Sequence, residues 1–252
     1  RDHPAAASAA SGTVCFVGGV TPTRRWRPQQ RPPVLARRDR TQGDPAVRHV
    51  RECPRNDERQ GQSRVSVSRE PRPPERAVKE SSVDVREADA GNPVVTLSDD
   101  VVTLRPWSRD DAGFMAEACA DPAIRRYNGV LDRLGRPTPP PSIVDAEAVI
   151  DEFALNWRAF ATTGTPSGVA FAIIDARSGD LVGCCGVDDW SKADVAQFGY
   201  WLGASARGRG YATRAAILLT RWLFELGAAR VFLTIVAGNE ESVAVARRAG
   251  FV

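Results

Sequence analysis

The sequence predicts an α+β domain in which helices pack on a mostly antiparallel sheet. Two features of the chain after residue 93 predict this class. Strand-like apolar segments come first and include a close pair on either side of Arg177–Asp180. The order then becomes strand, helix, strand, helix up to Gly250. Antiparallel strands followed by this alternation bury their apolar faces when helices cover the sheet.

The composition divides the chain into two parts. Eleven of its 18 prolines and eighteen of its 34 basic residues precede Val94, and long apolar runs are few there. Such a segment cannot bury enough apolar surface to offset the entropy cost of ordering. We therefore predict a disordered Arg/Pro-rich arm over 1–93 and a folded domain over 94–252. The chain begins with Arg1 and its only methionine is Met115, so the arm could be non-native to the domain.

Charge and cysteine content exclude several functions. The net charge is +3 and acidic residues are scattered through the arm, so we expect no nucleic-acid binding. The apolar run Val14–Val20 is too short to span a bilayer and lacks signal-peptide flanks, which favours a cytoplasmic protein without membrane contact. Five cysteines without a C-x-x-C pair indicate neither a disulfide framework nor a metal site.

The first part of the domain contains one strand, then two helices, then three more strands. Alternation over 101–105 predicts a strand, and helical periodicity predicts helices over about 110–120 and 145–162, separated by a proline-rich loop. Residues 170–175 and 181–187 read as a buried hairpin, and 195–202 as a third strand.

A glycine-rich basic turn is the most informative motif. Arg207-Gly208-Arg209-Gly210 follows a strand and opens a helix over about 211–226. The first turn of a helix offers unpaired N–H groups and a positive dipole end, so the turn predicts a phosphate or pyrophosphate site. No Gly-Lys-Ser/Thr follows, which excludes a P-loop. Thr213 replaces the third glycine of a dinucleotide fingerprint, which weakens that alternative.

The helix after this turn carries one apolar stripe, which predicts core packing. Its members are Ala212, Ala215, Ala216, Leu219, Trp222, Leu223 and Leu226. Gly227 ends the helix, 231–236 forms the next strand, and Asn239 is a good N-cap for a last short helix.

This order of elements resembles the GCN5-related N-acetyltransferase (GNAT) superfamily over residues 94–252. The matching motifs are Arg207-x-x-Gly210-x-Ala212, Asn239-x-x-Ser242 and Gly250-Phe251. Further segments look like the branch that acetylates ribosomal-protein N-termini (RimJ/RimL-like): Leu104-Arg105-Pro106-Trp107, Asp110-Asp111-Ala112, Asp121-Pro122 and Phe198-Gly199-Tyr200-Trp201-Leu202. The resemblance implies an acetyl-CoA-dependent transferase acting on a primary amine, either a protein N-terminus or a small molecule.

The resemblance also implies which residues bind acetyl-CoA. They are Leu202, Arg207, Gly208, Arg209, Gly210, Tyr211, Ala212, Thr213, Asn239 and Ser242. Arg214, with Arg207 or Arg209, could meet the phosphates, or it could simply face solvent. Asn239 could contact the pantetheine arm or only cap its helix.

The implied reaction needs a base for the amine and an acid for the leaving thiolate. Both histidines lie in the arm, so a carboxylate must serve as base. Gln197 stands where relatives often carry a glutamate, which leaves Asp188 and Asp189 as the nearest carboxylates; we assign Asp189. The family suggests that Ser242 protonates the thiolate, and that the backbone amide at Leu202, on a strand bulge, polarises the thioester carbonyl.

The domain is expected to be C-terminally incomplete. In the family two more strands follow the Gly-Phe pair, whereas only Val252 remains here, so the edge of strand 231–236 should be uncovered. Gln197, Ala246 and this loss motivate an alternative: a catalytically weak CoA-binding sensor or interaction domain. Docking to the ribosome through the arm is a further alternative.

Overall fold

The computed structural model describes residues 64–69, 82–87, 93–128 and 137–252. Within these ranges one sheet of eight strands carries helices on both faces. The strands are β1 (Arg64–Arg69), β2 (Ser82–Glu87), β3 (Pro93–Ser98), β4 (Val102–Pro106), β5 (Ala170–Asp175), β6 (Leu181–Trp190), β7 (Val195–Leu202) and β8 (Arg230–Val236). The helices are α1 (Ala112–Ala120), α2 (Pro122–Asn128), α3 (Ile143–Thr163), α4 (Tyr211–Glu225) and α5 (Glu240–Arg248).

The sheet is mostly antiparallel, as the sequence predicts. Its spatial order is β1-β8-β7-β6-β5-β4-β3-β2, and only the pair β7–β8 is parallel. The predicted hairpin is formed by β5 and β6, in which Phe171 lies opposite Cys185. The strand β8 follows α4 and returns beside β7, so the strand–helix–strand unit supplies the one parallel pair.

Helices cover the two faces of the sheet with separate apolar clusters. The apolar stripe predicted for α4 is buried against one face: Leu219 and Leu223 are fully buried and Trp222 packs edge-on against Phe171. Helix α1 and most of α3 cover the other face through Met115 and Ile150, among others. This burial on both faces supplies the main stabilisation of the domain.

The predicted disordered arm contains two of the strands. Val65 and Val67 lie in β1, and Val83 and Val85 lie in β2. These short alternating segments have the two-residue period of strands, but the charged and proline-rich composition of the whole arm conceals them. The prediction of disorder is therefore wrong for 64–69 and 82–87; the rest of 1–92 lies outside the described residues.

The strand β1 also overturns the expected bare edge of β8. Along its whole length β1 pairs antiparallel with β8, from Arg64 opposite Val236 to Arg69 opposite Val231. On its other side, the Ser68 and Val252 backbones exchange two hydrogen bonds of 3.1 Å. A segment from the arm thus satisfies the ladder groups that β8 would otherwise expose.

A side chain of β1 fixes the end of α5 as well. The Arg69 guanidinium donates to the Ala249 carbonyl at 2.8 Å. This carbonyl belongs to the C-cap residue of α5, where the helix end carries partial negative charge and a cation is favourable. The strand β1 therefore holds β8 and α5 together.

Gly183 lies where β6 runs close beside the end of β7, and the space there admits no side chain. A methyl group at Gly183 would lie 2.4 Å from the Trp201 carbonyl oxygen and 2.7 Å from Leu202 Cδ2. We expect Gly183→Ala to lower the free energy of unfolding by about 1–3 kcal/mol, because this backbone cannot move aside without disturbing the sheet.

Urea denaturation monitored by circular dichroism checks this expectation. Gly113→Ala in α1 is the matched control, since nothing lies within 4 Å of its added methyl group. This control should raise stability by up to about 1 kcal/mol, because alanine loses less backbone entropy in a helix. Equal stability of the two variants would contradict the close approach at Gly183.

Candidate active site

A cleft opens where β7 and β8 separate. The two strands pair only from Val195 opposite Arg230 to Gln197 opposite Phe232. Beyond this point they diverge around a cleft of about 880 Å³, whose walls include Phe198 to Leu202 of β7 and Leu233 to Val236 of β8. The cleft exposes backbone groups that a continuous sheet would pair internally.

The glycine-rich turn lies beside this cleft. Gly208 and Gly210 both line it and both adopt positive φ angles, 75° and 86°. Such angles suit glycine because other residues would place Cβ against the backbone. The turn leads directly into α4, whose first N–H groups have no partner inside the helix. The predicted anion site therefore has the local geometry that it requires.

The Thr213 hydroxyl supports this assignment independently. Thr213 lies in the first turn of α4 and lines the cleft. Its Oγ1 is shielded from solvent and has no hydrogen-bond partner. Because a buried hydroxyl without a partner costs free energy, a ligand oxygen in the cleft would satisfy it. The residues of the turn thus fit a phosphate-bearing molecule.

Arg207 bridges the turn to the opposite wall. Its guanidinium donates to the Asp121 carboxylate at 2.8 Å and to the Leu202 carbonyl at 3.1 Å. Asp121 lies between α1 and α2. The Arg207 side chain is 39% exposed, so a bound anion can reach it from the cleft.

The other predicted arginines point elsewhere. The Arg209 guanidinium stacks 5.0 Å from the centre of the Tyr211 ring, and the Tyr211 hydroxyl donates to Asp175. Only the backbones of Arg209 and Tyr211 remain candidates for phosphate contact. Arg214 donates to Asp100 at 2.8 Å, with Asp99 also close. Arg214 does not line the cleft, and its guanidinium pairs with carboxylates in the turn before β4, so the structure does not bring it to the predicted phosphate site.

The backbone of Leu202 faces the cleft without a bulge. The Gly203 N–H donates to the Val182 carbonyl at 3.0 Å, so the adjacent Leu202 N–H and C=O point away from β6. From Phe198 to Leu202 the register with β6 is regular. The bulge expected at Leu202 is therefore wrong, and the register shift instead leaves Asp188 of β6 without an opposite residue.

Helix α5 forms the wall across from β7. The Asn239 side chain accepts a hydrogen bond from the Ser242 N–H at 3.1 Å, which confirms its capping role. Asn239 and Ser242 both line the cleft. These two residues therefore border the same space as the glycine-rich turn.

Tyr200 is a candidate to which the sequence assigned no catalytic role. Its hydroxyl lies 3.5 Å from the Ser242 carbonyl, across the cleft. Burial raises the pKa of Tyr200 to about 12, although the Ser242 contact and Arg248 lower it in part. The phenol therefore keeps its proton at neutral pH. The next residue, Trp201, is 7% exposed and packs against Trp107 instead.

The two neighbouring aspartates occupy different environments. Asp189 is exposed and lies opposite Gln197. Both Asp188 carboxyl oxygens are shielded from solvent and accept no hydrogen bond of normal geometry. Burial, together with the charge of Asp189, raises the Asp188 pKa well above its ordinary value, against smaller opposing effects from Arg64 and Gln197. Burial thus favours the protonated form of the Asp188 carboxyl.

Helix α2 forms the remaining wall. Ile124, Arg126 and Tyr127 line the cleft, and the Tyr127 hydroxyl approaches the Gly238 carbonyl to 3.5 Å.

In the part of the chain that the structure describes, no cluster of His, Cys, Asp or Glu could hold a metal ion. None of the helices described there combines the length and apolarity needed to cross a bilayer.

A protein-family model described as an acetyltransferase (GNAT) domain matches residues 102–252. This match covers more than half of the chain. The chain belongs to the GNAT acetyltransferase family. The resemblance seen in the sequence is thereby confirmed, and the split between β7 and β8 lies within the matched region. No curated protein matches the sequence.

Several solved acetyltransferases are similar to this GNAT domain at low identity. The ribosomal-protein-S5-alanine acetyltransferase from Vibrio fischeri is 16% identical with a TM-score of 0.49, covering 63% of this chain and 83% of that one. An acetyltransferase from Agrobacterium tumefaciens str. C58 is 27% identical with a TM-score of 0.47, covering 62% and 82%. Spermidine N-acetyltransferase from Vibrio cholerae, solved with CoA and spermine, is 18% identical with a TM-score of 0.48, covering 61% and 82%.

Replacing the Thr213 hydroxyl should weaken ligand binding without reducing the stability of the folded protein. We expect Thr213→Val to weaken acetyl-CoA binding about 5- to 10-fold, because one hydrogen bond to the ligand is lost. The free energy of unfolding without ligand should not fall, since the hydroxyl has no partner in the protein. Titration calorimetry and urea denaturation measure the two quantities.

Thr220→Val provides the matched control on the same helix. The Thr220 hydroxyl is also buried without a partner, but Thr220 does not line the cleft. Its replacement should leave acetyl-CoA affinity unchanged. If Thr220→Val weakened binding as much as Thr213→Val, a specific contact from Thr213 would be excluded.

Proposed function

We propose that this protein is an acetyl-CoA-dependent N-acetyltransferase that acts on a primary amine. The observation that carries the proposal is the cleft between β7 and β8, with the glycine-rich turn and the unpartnered Thr213 hydroxyl beside it. Membership of the GNAT family supports the reaction class. Because fold alone does not determine function, each role below is assigned from local geometry.

The first turn of α4 would hold the pyrophosphate of acetyl-CoA. Its N–H groups from Tyr211 to Thr213 are free of intrahelical bonds, and Gly208 and Gly210 leave the approach to them open. Arg207 adds a positive charge with a planar donor geometry suited to phosphate. The remainder of the molecule would lie along β7, between Leu202 and the wall formed by Asn239 and Ser242.

The reaction requires one bond exchange and two proton transfers. The amine nitrogen bonds to the acetyl carbon as the carbon–sulfur bond breaks, and the sulfur leaves as CoA thiolate. A neutral amine loses one proton and the sulfur gains one; an amine that arrives as ammonium must first lose one further proton, to a base or to water. No covalent bond to the protein is needed in this direct transfer.

The Leu202 N–H is placed to stabilise the charge that develops on the carbonyl oxygen. It points into the cleft rather than to β6, as the bond from Gly203 to Val182 shows. A backbone donor held by a sheet does not reorient during the reaction, and fixed donors of this kind are worth several kcal/mol. Leu202 therefore serves through its backbone, without the strand bulge.

Asp188 is a better proton acceptor than Asp189. Its carboxyl is buried beside Gln197 and its pKa is raised, whereas Asp189 is exposed. An incoming ammonium group would favour the ionised form of Asp188 and so prepare it to take a proton. We infer that Asp188, although it is not among the residues that line the cleft, supplies the carboxyl group where the family often has a glutamate and this chain has Gln197.

The proton for the departing thiolate comes from the wall at α5. Ser242 lines the cleft, and the Tyr200 hydroxyl lies against the Ser242 carbonyl. The Tyr200 phenol remains protonated at neutral pH because burial raises its pKa to about 12. Tyr200 is therefore the stronger candidate as donor, with Ser242 positioned next to it.

The acceptor amine belongs to a protein N-terminus or to a small molecule in the cytoplasm. A ribosomal N-terminus is favoured by the segments Leu104–Trp107 and Phe198–Leu202, which resemble the RimJ/RimL-like branch. A sensor that binds CoA without turnover is the second candidate, and the amide at Gln197 favours it because an amide cannot act as a base.

The test uses the full chain with acetyl-CoA and two amine classes. Titration calorimetry measures binding, and thiol release measures turnover with N-terminal alanine or serine peptides and with spermidine. Thiol release that depends on either amine supports the transferase. Tight binding with thiol release at the hydrolytic background rate would support the sensor instead, and absent binding would contradict both.

Substitution of the two aspartates tests the proton acceptor. We expect Asp188→Asn to lower kcat about 100-fold, because the amine proton then has no acceptor. Asp189→Asn is the matched control and should lower kcat less than twofold. The opposite ranking of the two variants would assign the base to Asp189.

The raised pKa of Asp188 also predicts how the stability of the protein changes with pH. The folded-state pKa of Asp188 lies above its ordinary value of 3.8. The wild type therefore loses stability as the pH rises from 3.8 to the folded-state pKa. Asp188→Asn removes this loss and should be more stable than the wild type at pH 8. The two proteins should converge near pH 3, and thermal unfolding at both pH values measures the difference.

A further inference from the structure

The charged side chains that line the cleft are mostly arginines. Arg126, Arg207 and Arg248 border it, whereas Glu241 is the one acidic residue among the described residues that do so. Arg207 already bonds to the Asp121 carboxylate. Within the described ranges, neither Arg126 nor Arg248 forms an ion pair with a carboxylate. A cleft with positive charge that the protein itself does not neutralise attracts anions.

Arg248 lies at the far end of α5 from the residue that caps it. The helix begins after Asn239, which follows the end of β8. Beyond the last turn, the Ala249 carbonyl accepts from Arg69, which lies opposite Val231 at the start of β8. Helix α5 therefore runs antiparallel to β8, and its nine residues span about 13 Å.

The two ends of α5 mark the two ends of the cleft. Asn239 follows β8 at the open end, where β7 and β8 have diverged, and the glycine-rich turn follows β7 at this same end. Arg248 lies toward the closed end, where the β7–β8 ladder stops. There Phe251 packs against Phe198, with the ring centres 5.8 Å apart. Arg248 is therefore separated from the predicted phosphate site by the length of the helix.

This separation leaves Arg248 available for an anion other than the cofactor. All phosphates of acetyl-CoA belong to its nucleotide end, whereas the thioester lies at the other end of the pantetheine arm. With the pyrophosphate at the start of α4 and the arm along β7, the thioester lies toward the closed end. Tyr200, the proposed proton donor to the thiolate, feels the charge of Arg248, which lowers its pKa in part. Arg248 thus lies close to where the acceptor must meet the thioester.

We propose that Arg248 selects acceptors that carry a carboxylate near the primary amine. This inference rests on the proposed transferase function and names its acceptor class. A guanidinium can bind a carboxylate through two parallel N–H···O bonds, and Arg248 is exposed, so it can turn to the acceptor without breaking an ion pair. A second ammonium group on the acceptor would instead meet a like charge, which is unfavourable. Acidic N-termini and small aminocarboxylates are therefore favoured over polyamines.

Matched acceptors test the preference on the full chain. Three peptides share an N-terminal alanine and carry glutamates, glutamines or lysines at the next two positions. γ-Aminobutyrate and putrescine are the small-molecule pair, with a carboxylate or an ammonium group at the end away from the reacting amine. We expect kcat/KM to be about 10-fold higher for the acidic than for the basic member of whichever pair reacts. The pair that reacts tells whether the carboxylate belongs to a protein N-terminus or to a small molecule.

Charge reversal at Arg248 tests the residue itself. Arg248→Glu should reverse the order of the acceptors, and Arg248→Gln should remove most of the difference. Arg247→Glu is the matched control: Arg247 is exposed in the same last turn but does not line the cleft, so it bears the same unfavourable helix-dipole effect and should keep the wild-type order. The ratio of kcat/KM for the acidic and the basic acceptor is compared, since a change in the pKa of Tyr200 affects both alike. An equal ratio in the wild type and Arg248→Glu would overturn the proposal.

Equilibrium binding separates this inference from the proposed reaction. Fluorescence anisotropy measures the affinity of each peptide, labelled at its C-terminus, for the full chain saturated with CoA. If no acceptor causes thiol release but the glutamate peptide binds and Arg248→Glu weakens it, the acceptor preference stands and the transferase proposal fails. Acidic and basic peptides that bind equally, or do not bind at all, overturn the preference, whether or not thiol is released.

Discussion

The separation of β7 from β8 is the constraint on which the rest of the site depends. Three residue pairs hold these strands together, ending at Gln197 and Phe232. Past that point the backbone groups of both strands face an open cleft, and the start of α4 lies beside it. A longer parallel ladder would pair the Leu202 N–H with β8 and close the space for a ligand. Because the ladder is short, backbone N–H and C=O groups that would otherwise pair within the sheet are available to bind a ligand.

The sequence predicts those parts whose signals are local. The glycine-rich turn, the apolar stripe of α4 and the β5–β6 hairpin are each determined by residues close together in the chain, and the structure confirms them. Asn239 as a cap is likewise a local property. Helix periodicity and turn chemistry therefore sufficed for the half of the cleft formed by α4 and α5.

The parts that the sequence could not predict depend on contacts between distant segments. Arg214 is occupied by Asp99 and Asp100, which lie more than a hundred residues earlier. The burial of Asp188 arises from a register shift against β7, which no spacing in β6 reveals. The strand β1 is stabilised by β8 and Val252 rather than by its own composition. Side-chain direction and strand partnership are properties of the whole sheet.

One strand, β8, borders the cleft and also pairs with β1. Thr234 lines the cleft and lies opposite Ser66, and Val236 lines it and lies opposite Arg64. A ligand that orders this part of β8 also lowers the entropy cost of docking β1, and the reverse holds by the same amount. A ligand in the cleft would therefore contact a strand whose other edge holds β1, so ligand binding and the docking of the arm share one structural element.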